Sequence, residues 1–197
     1  GYMDTNIKIS VVLPYHDMEN GAFFLKRCID SVISQTYLNY EIILTKNGKM
    51  AENTNSAIKR AKGDLIKILY MDDYLAHENA LQVIVETFKG HWLATGCEHD
   101  DGIARTRPHY PVFNKDVNTI GSPSVITIKN GLDVYFDEKM SWFLDLDFYR
   151  RMHEKYGTPA ISDDINVVIG IGDHQMTNLL SDEEKDNERK YFISKYK

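Results

Sequence analysis

The 197-residue chain is expected to fold as a single α/β domain, a mainly parallel sheet flanked by helices. Three observations predict this. Strand-like apolar runs alternate with helix-length segments over residues 7–89, the rhythm of βαβ crossovers. Those runs are near-continuously apolar, as strands buried on both faces must be. One of them, within GDLIKILYMDDY (residues 63–74), stops at two adjacent acids, Asp72 and Asp73. The carboxyl ends of such strands open into the crevice where α/β folds bind ligands. Carboxylates there suit a hard divalent cation held against phosphate oxygens. Taken alone, the two acids read equally well as turn residues.

Each element follows from local pattern. Residues 7–13 (IKISVVL) form a buried strand ending at Pro14, and residues 21–35 form a helix with Leu25, Ile29, Val32 and Ile33 on one stripe. Residues 40–45 (YEIILT) make a second strand closed by the Asn47-Gly48 turn signal. A helix over residues 52–62 stops at Gly63, the metal-strand candidate follows, and a further helix spans about 77–89. Beyond Gly90 the signals weaken. Residues 92–97 and 125–128 read as short strands, 99–119 as a polar loop, 142–156 as a helix, 165–171 as a late strand and 181–197 as a charged terminal helix. One domain is expected over residues 3–197. Its nucleotide-binding half covers about 3–90 and its acceptor and catalytic half about 91–180, with the terminal helix at 181–197.

Composition narrows the class. The chain is 43% hydrophobic and 26% charged, with a formal net charge of −6. An acidic balance without a basic block argues against a nucleic-acid partner. Cys28 and Cys97 have no metal-type spacing, so a reducing compartment is the default. No run approaches the ~18–20 apolar residues of a membrane span. A cytoplasmic location, at most peripheral to a membrane, is therefore expected.

Four constellations carry chemistry. The loop Pro14-Tyr15-His16-Asp17 follows the first strand, where Tyr15 can pack against a base or ribose. The chain has neither GxGxxG after that strand nor a GxxxxGK[ST] loop, which argues against a dinucleotide dehydrogenase and a P-loop NTPase; the phosphates of a bound nucleotide would need another source of positive charge. In WFLDLDF, Asp145 and Asp147 fall at a helix start. There they serve either as helix-terminus acids or, for one of the two, as a base held ionised by the helix dipole. His174, in the loop after the late strand, is either a ligand or an ordinary exposed histidine.

In order and spacing these pieces resemble family 2 glycosyltransferases of the GT-A fold, from about residue 7 to residue 178. ISVVLPYHD resembles the opening strand and its loop. LKRCIDSVISQTYLNYEIIL, with Ser31, Gln35, Thr36, Tyr37 and Glu41, resembles the helix and second strand. Asn55, Ala61 and Gly63 precede YMDD at the position of the DxD-type motif, and GLDVYFDEKM, WFLDLDF and DHQMT resemble the later segments.

The resemblance implies an inverting, metal-dependent sugar transfer. The donor would be a nucleoside-diphosphate sugar, a UDP-sugar first. The acceptor would be a hydroxyl on a glycan or glycoconjugate, as in polysaccharide biosynthesis. Asp72 and His174 would hold Mn2+ or Mg2+, with Asp73 as the acid that follows, Asp145 as the catalytic base and Asp147 in a structural role. Pro14, Tyr15, Asn47, Asn55, Met71 and Asp72 would lie on the donor side, and Trp142, Arg105 and Arg107 on the acceptor side. Three positions depart from the family pattern. Lys46-Asn47-Gly48-Lys49 stands where Asp-Asp-Gly-Ser is usual, Thr54 where an arginine is common, and Tyr70 where the first acid of the DxD-type motif is expected. These departures motivate an alternative, a non-catalytic sugar-nucleotide or glycan-binding module that keeps the fold.

Overall fold

In a computed structural model of the chain, residues 6–172 and 174–197 are described. Residues 3–5 of the expected domain and Asp173 of the late loop lie outside them. The order is β1 (Ile9–Pro14), α1 (Gly21–Ile33), β2 (Tyr40–Thr45), α2 (Met50–Arg60), β3 (Leu65–Ile68), β4 (Tyr74–Leu75), α3 (Ala80–Thr87), β5 (Trp92–Asp100), β6 (Arg105–His109), β7 (Ile126–Lys129), α4 (Leu144–Tyr156), β8 (Ala160–Gly170), α5 (Met176–Leu179) and α6 (Asp182–Lys195).

The strands join one sheet in the order β2-β1-β3-β7-β5-β8-β4, with β6 pairing β5 off this path. β1 is parallel to β2 and β3, and β5 is parallel to β8. β7 runs against both β3 and β5, while β4 and β6 run against β8 and β5. β2, β1, β3, β5 and β8 therefore share one direction, which agrees with the expected sheet of mostly parallel strands. Every residue of β1 and of β3 is buried, including Lys67, as the apolar runs required.

The Ser-x-x-x-Gln-Thr-Tyr segment proves to be a set of latches. Ser31 Oγ accepts from Leu75 N–H at 3.0 Å, Gln35 bonds the His77 carbonyl and the Leu81 N–H, and Tyr37 donates to the Ile7 carbonyl. Ser31 and Gln35 pin the end of α1 to β4 and to the start of α3, just after Asp72, and Tyr37 ties the loop beyond α1 to the chain ahead of β1.

Two expectations are corrected. The buried side of α1 runs through Leu25, Cys28, Ile29 and Val32, with i, i+3, i+4, i+7 spacing, and leaves Ile33 58% exposed. Residues 99–119 are not all loop. β5 extends to Asp100 and pairs with β6 across a register shift. β6 is an edge strand with four exposed residues out of five, so it has no apolar alternation to announce it. Among the described residues no helix is long and apolar enough to cross a membrane.

Candidate active site

The carboxyl ends of β3 and β8 and the first turn of α4 enclose an open cavity of about 230 Å³. Asp72, His174, Asp145 and Trp142 line it together with Tyr70, His16, Met18 and Met50. Three chain segments more than 25 residues apart thus bring the expected metal ligands, the expected base and the expected stacking aromatic to one place.

Local structure fixes each group. After β3 the chain turns at Asp72 and Asp73, and the two acids part company. Asp73 is 2% exposed and points into the fold, where it accepts from Ser124 Oγ at 2.5 Å and Gly170 N–H at 3.0 Å. Burial, then the adjoining Asp72 charge, push its carboxyl well above the usual carboxylate range. Nearby Lys67, fully buried and donating to the Ser124 carbonyl, is drawn down to about 7 by burial. Asp72 stays at the cavity. Its backbone carbonyl accepts from Arg27 at 3.2 Å, and it lies so close to β8 that a Cβ on Gly170 would fall 2.3 Å from that oxygen.

Asp72 Oδ2 and His174 Nε2 are 3.0 Å apart. The pair is close but poorly aligned: Nε2 is buried without a well-directed hydrogen-bond partner. The carboxylate raises the proton affinity of the imidazole. The ring is also held by Phe24, whose centroid lies 5.0 Å away. A carboxylate and an imidazole whose donor atoms converge, one of them unsatisfied, could together hold a divalent cation that takes its other ligands from outside the described residues.

Asp145 is the second residue of α4. Its Oδ1 accepts from Leu146 N–H and its Oδ2 from Asn118 Nδ2, both at 2.8 Å. Burial pushes its carboxyl up to about 6, and the Glu188 charge adds to the effect. Asp147, two residues on, is fully buried and faces away. It binds Arg151, Lys195 and Tyr196, a structural anchor between α4 and α6 as the resemblance implied.

Other expected site residues are placed elsewhere. Pro14 is buried at the end of β1, and Tyr15 is tied by its backbone to Thr45 and Asn53; His16 is the residue of that loop that reaches the cavity. Asn47 is exposed and donates to Ser56. The Asn55 amide is consumed by the backbone of Phe136, at 2.9 and 2.8 Å. Met71 is buried, with its sulfur accepting from His16 N–H. Arg105 pairs with Glu98 and lines a neighbouring cavity of about 510 Å³ that shares Gly170 and His174 with the first. Arg107 is exposed on β6 with φ 56° and lines neither cavity.

Tyr70, Asn118 and Glu188 were missed as members of the site. Tyr70 stood out only as a departure. Its hydroxyl lies 3.3 Å from Thr54 Oγ1, so the two departures at residues 54 and 70 are one contact. Asn118 and Glu188 lie 27 and 43 residues from Asp145, in stretches without a motif, and only folding places them.

The family model described as Glycosyl transferase family 2 matches residues 10–154. An uncharacterized glycosyltransferase of Rickettsia prowazekii is 32% identical over 93 residues, which is 47% of this chain and 27% of that protein. Among solved structures, S. aureus TarS 1-349 in complex with UDP-GlcNAc superposes with a TM-score of 0.61 at 14% identity, covering 89% of this chain and 62% of that one. The mannosyltransferase PcManGT from Pyrobaculum calidifontis, in complex with GDP-Man and Mn2+, superposes with a TM-score of 0.59 at 14% identity, covering 88% and 60%. The chain spans less than two thirds of the length of each of these proteins. At such identities the structures establish the GT-A type of fold, while the family match, which takes in well over half of the sequence, establishes that the chain belongs to glycosyl transferase family 2.

Proposed function

We propose that this chain transfers a sugar from a nucleoside-diphosphate sugar to an acceptor hydroxyl with inversion at the anomeric carbon. The observation that carries the proposal is the cavity itself, where the Asp72–His174 pair and Asp145 face one space. The Asp145 carboxyl is raised to about 6, so it is ionised at neutral pH yet far more basic than an ordinary carboxylate.

Asp145 keeps its helix-start position through Leu146 N–H and Asn118, one donor to each oxygen, and lines the cavity. It takes the proton of the acceptor hydroxyl as that oxygen forms its bond to the anomeric carbon. The bond from that carbon to the diphosphate breaks, and the nucleoside diphosphate leaves with the electron pair. One displacement with one base inverts the configuration. A Mn2+ or Mg2+ ion on Asp72 and His174 would supply charge neutralisation to the departing diphosphate. The complexes of TarS with UDP-GlcNAc and of PcManGT with GDP-Man and Mn2+ support the donor class and the ion. The acceptor reading, a glycan or glycoconjugate, rests on Trp142 at the cavity and Arg105 in the adjoining one.

A thermal-shift panel of nucleoside diphosphates and sugar nucleotides, with and without Mn2+, tests the donor. Ligand at 100-fold its Kd stabilises the fold by about 2.7 kcal/mol through mass action. A panel in which no nucleotide raises Tm, with or without the ion, removes the donor and with it the proposal. Asp145→Asn then tests the base. It should lower transfer by about 10²–10⁴-fold while the donor-induced shift persists.

A further inference from the structure

We infer that Glu188, on the carboxy-terminal helix α6, is the residue that positions Asp145 for its work, an inference resting on the general-base reading above. A helix begins with amide groups that lack intrahelical partners. At α4 the N-cap residue is Phe143, which offers no side-chain cap. An acceptor for the N-cap amide and the two amides before it comes from 45 residues away. Glu188 Oε1 accepts from the backbone N–H groups of Ser141, Trp142 and Phe143 at 3.0, 2.7 and 2.7 Å. Three amides in succession on one carboxylate oxygen fix the entry into α4 just ahead of Asp145, and the charge suits the positive end of the helix.

The rest of α6 holds Glu188 in register. Phe192 stacks on Phe143 at 5.1 Å, Lys185 and Arg189 sit over the Trp142 ring at 5.3 and 5.5 Å, and Lys195 bridges Asp137 and Asp147. The same carboxylate acts on Asp145 through space. The groups that face Asp145 are Leu146 N–H and the Tyr149 hydroxyl from α4, Asn118 from the preceding loop, Tyr70 from the end of β3 and Glu188 from α6. Of these only Glu188 is an anion that makes ionisation of Asp145 harder. One side chain therefore supplies both the placement of the base and part of its basicity.

Two substitutions separate these effects. Glu188→Gln keeps a carbonyl oxygen for the three amides and removes the charge, whereas Glu188→Ala removes both. The readout is the 13C shift of the Asp145 carboxyl across pH, assigned by its loss in Asp145→Asn, alongside the pH profile of transfer. In Glu188→Gln the midpoint should fall by about 0.5 pH unit, with the acid limb of the activity profile moving equally. Glu188→Ala should lower kcat by about tenfold or more with little change in donor binding. Variants that lose only Tm, with the Asp145 midpoint and kcat both unchanged, would overturn the inference and leave Glu188 a structural cap. The carboxyl titration is read without any transfer, so a shifted midpoint in a chain that transfers nothing would count against the transferase reading and not against this one.

Discussion

At Asp145, burial and a neighbouring anion oppose the hydrogen bonds from Leu146, Asn118 and its own backbone N–H that favour the carboxylate, and burial prevails. The consequence for activity has a definite sign. In the proposed mechanism Asp145 acts ionised, so kcat/KM should fall about tenfold per pH unit below about 6 and level off above it. A profile flat from pH 5 to 8 would detach Asp145 from the rate. The consequence for stability runs the other way. The folded-state value lies above the unfolded value of about 3.9, so the group favours folding most below pH ~4, and that contribution disappears as pH rises through about 6. Asp145→Asn, the variant expected to lose transfer, is therefore also expected to be more stable at pH 8 by about 1–2 kcal/mol, as measured by urea unfolding.

Among the elements, the β3 turn and β8 meet more tightly than side chains would permit. Gly170 carries Asp73 on its N–H, and a Cβ there would collide with the Asp72 carbonyl. Gly170→Ala must move one strand end or the other. It should cost about 1–3 kcal/mol of stability and weaken the Mn2+-dependent part of the nucleotide thermal shift. Full retention of both would show that the close approach is not what sets Asp72 in place. The α1 signature belongs to this scale too. Ser31, Gln35 and Tyr37 are spent on backbone groups of Leu75, His77, Leu81 and Ile7, so their recognisable pattern reports architecture and not chemistry.

For the whole molecule, the sheet is continuous from β2 to β4 and β7 joins the amino-terminal strands to β5. The two expected halves thus share one ladder, and neither can leave without exposing buried amides of the other. Urea unfolding monitored by tryptophan fluorescence and by far-UV circular dichroism should give one coincident transition. Separate midpoints would divide the chain into two folding units.

How much of this was readable in one dimension depended on the range of the forces involved. β1, β2 and β3, the helices between them and the acids after β3 are written locally, because apolar run length, helical spacing and turn residues act over a few neighbours. Asp72, Asp145 and His174 each lie at an element end that its own segment defines, but the metal and base roles expected of them came from the family resemblance and not from local pattern. β6 escaped notice because an exposed edge strand needs no apolar alternation. Asn47, Asn55 and Met71 were read as donor contacts, yet their polar or soft atoms meet Ser56, Phe136 and His16, partners chosen by packing across the fold. By itself the sequence determined the kind of fold and the residues able to do chemistry. Only the tertiary structure decided how the two adjacent acids divide, Asp73 tied to Ser124 and Gly170 and Asp72 set beside His174, that Arg105 lines the adjoining cavity while Arg107 lines neither, and that a glutamate on the last helix binds the turn into α4. Those choices rest on burial and on hydrogen bonds between residues tens of positions apart, which no local pattern encodes.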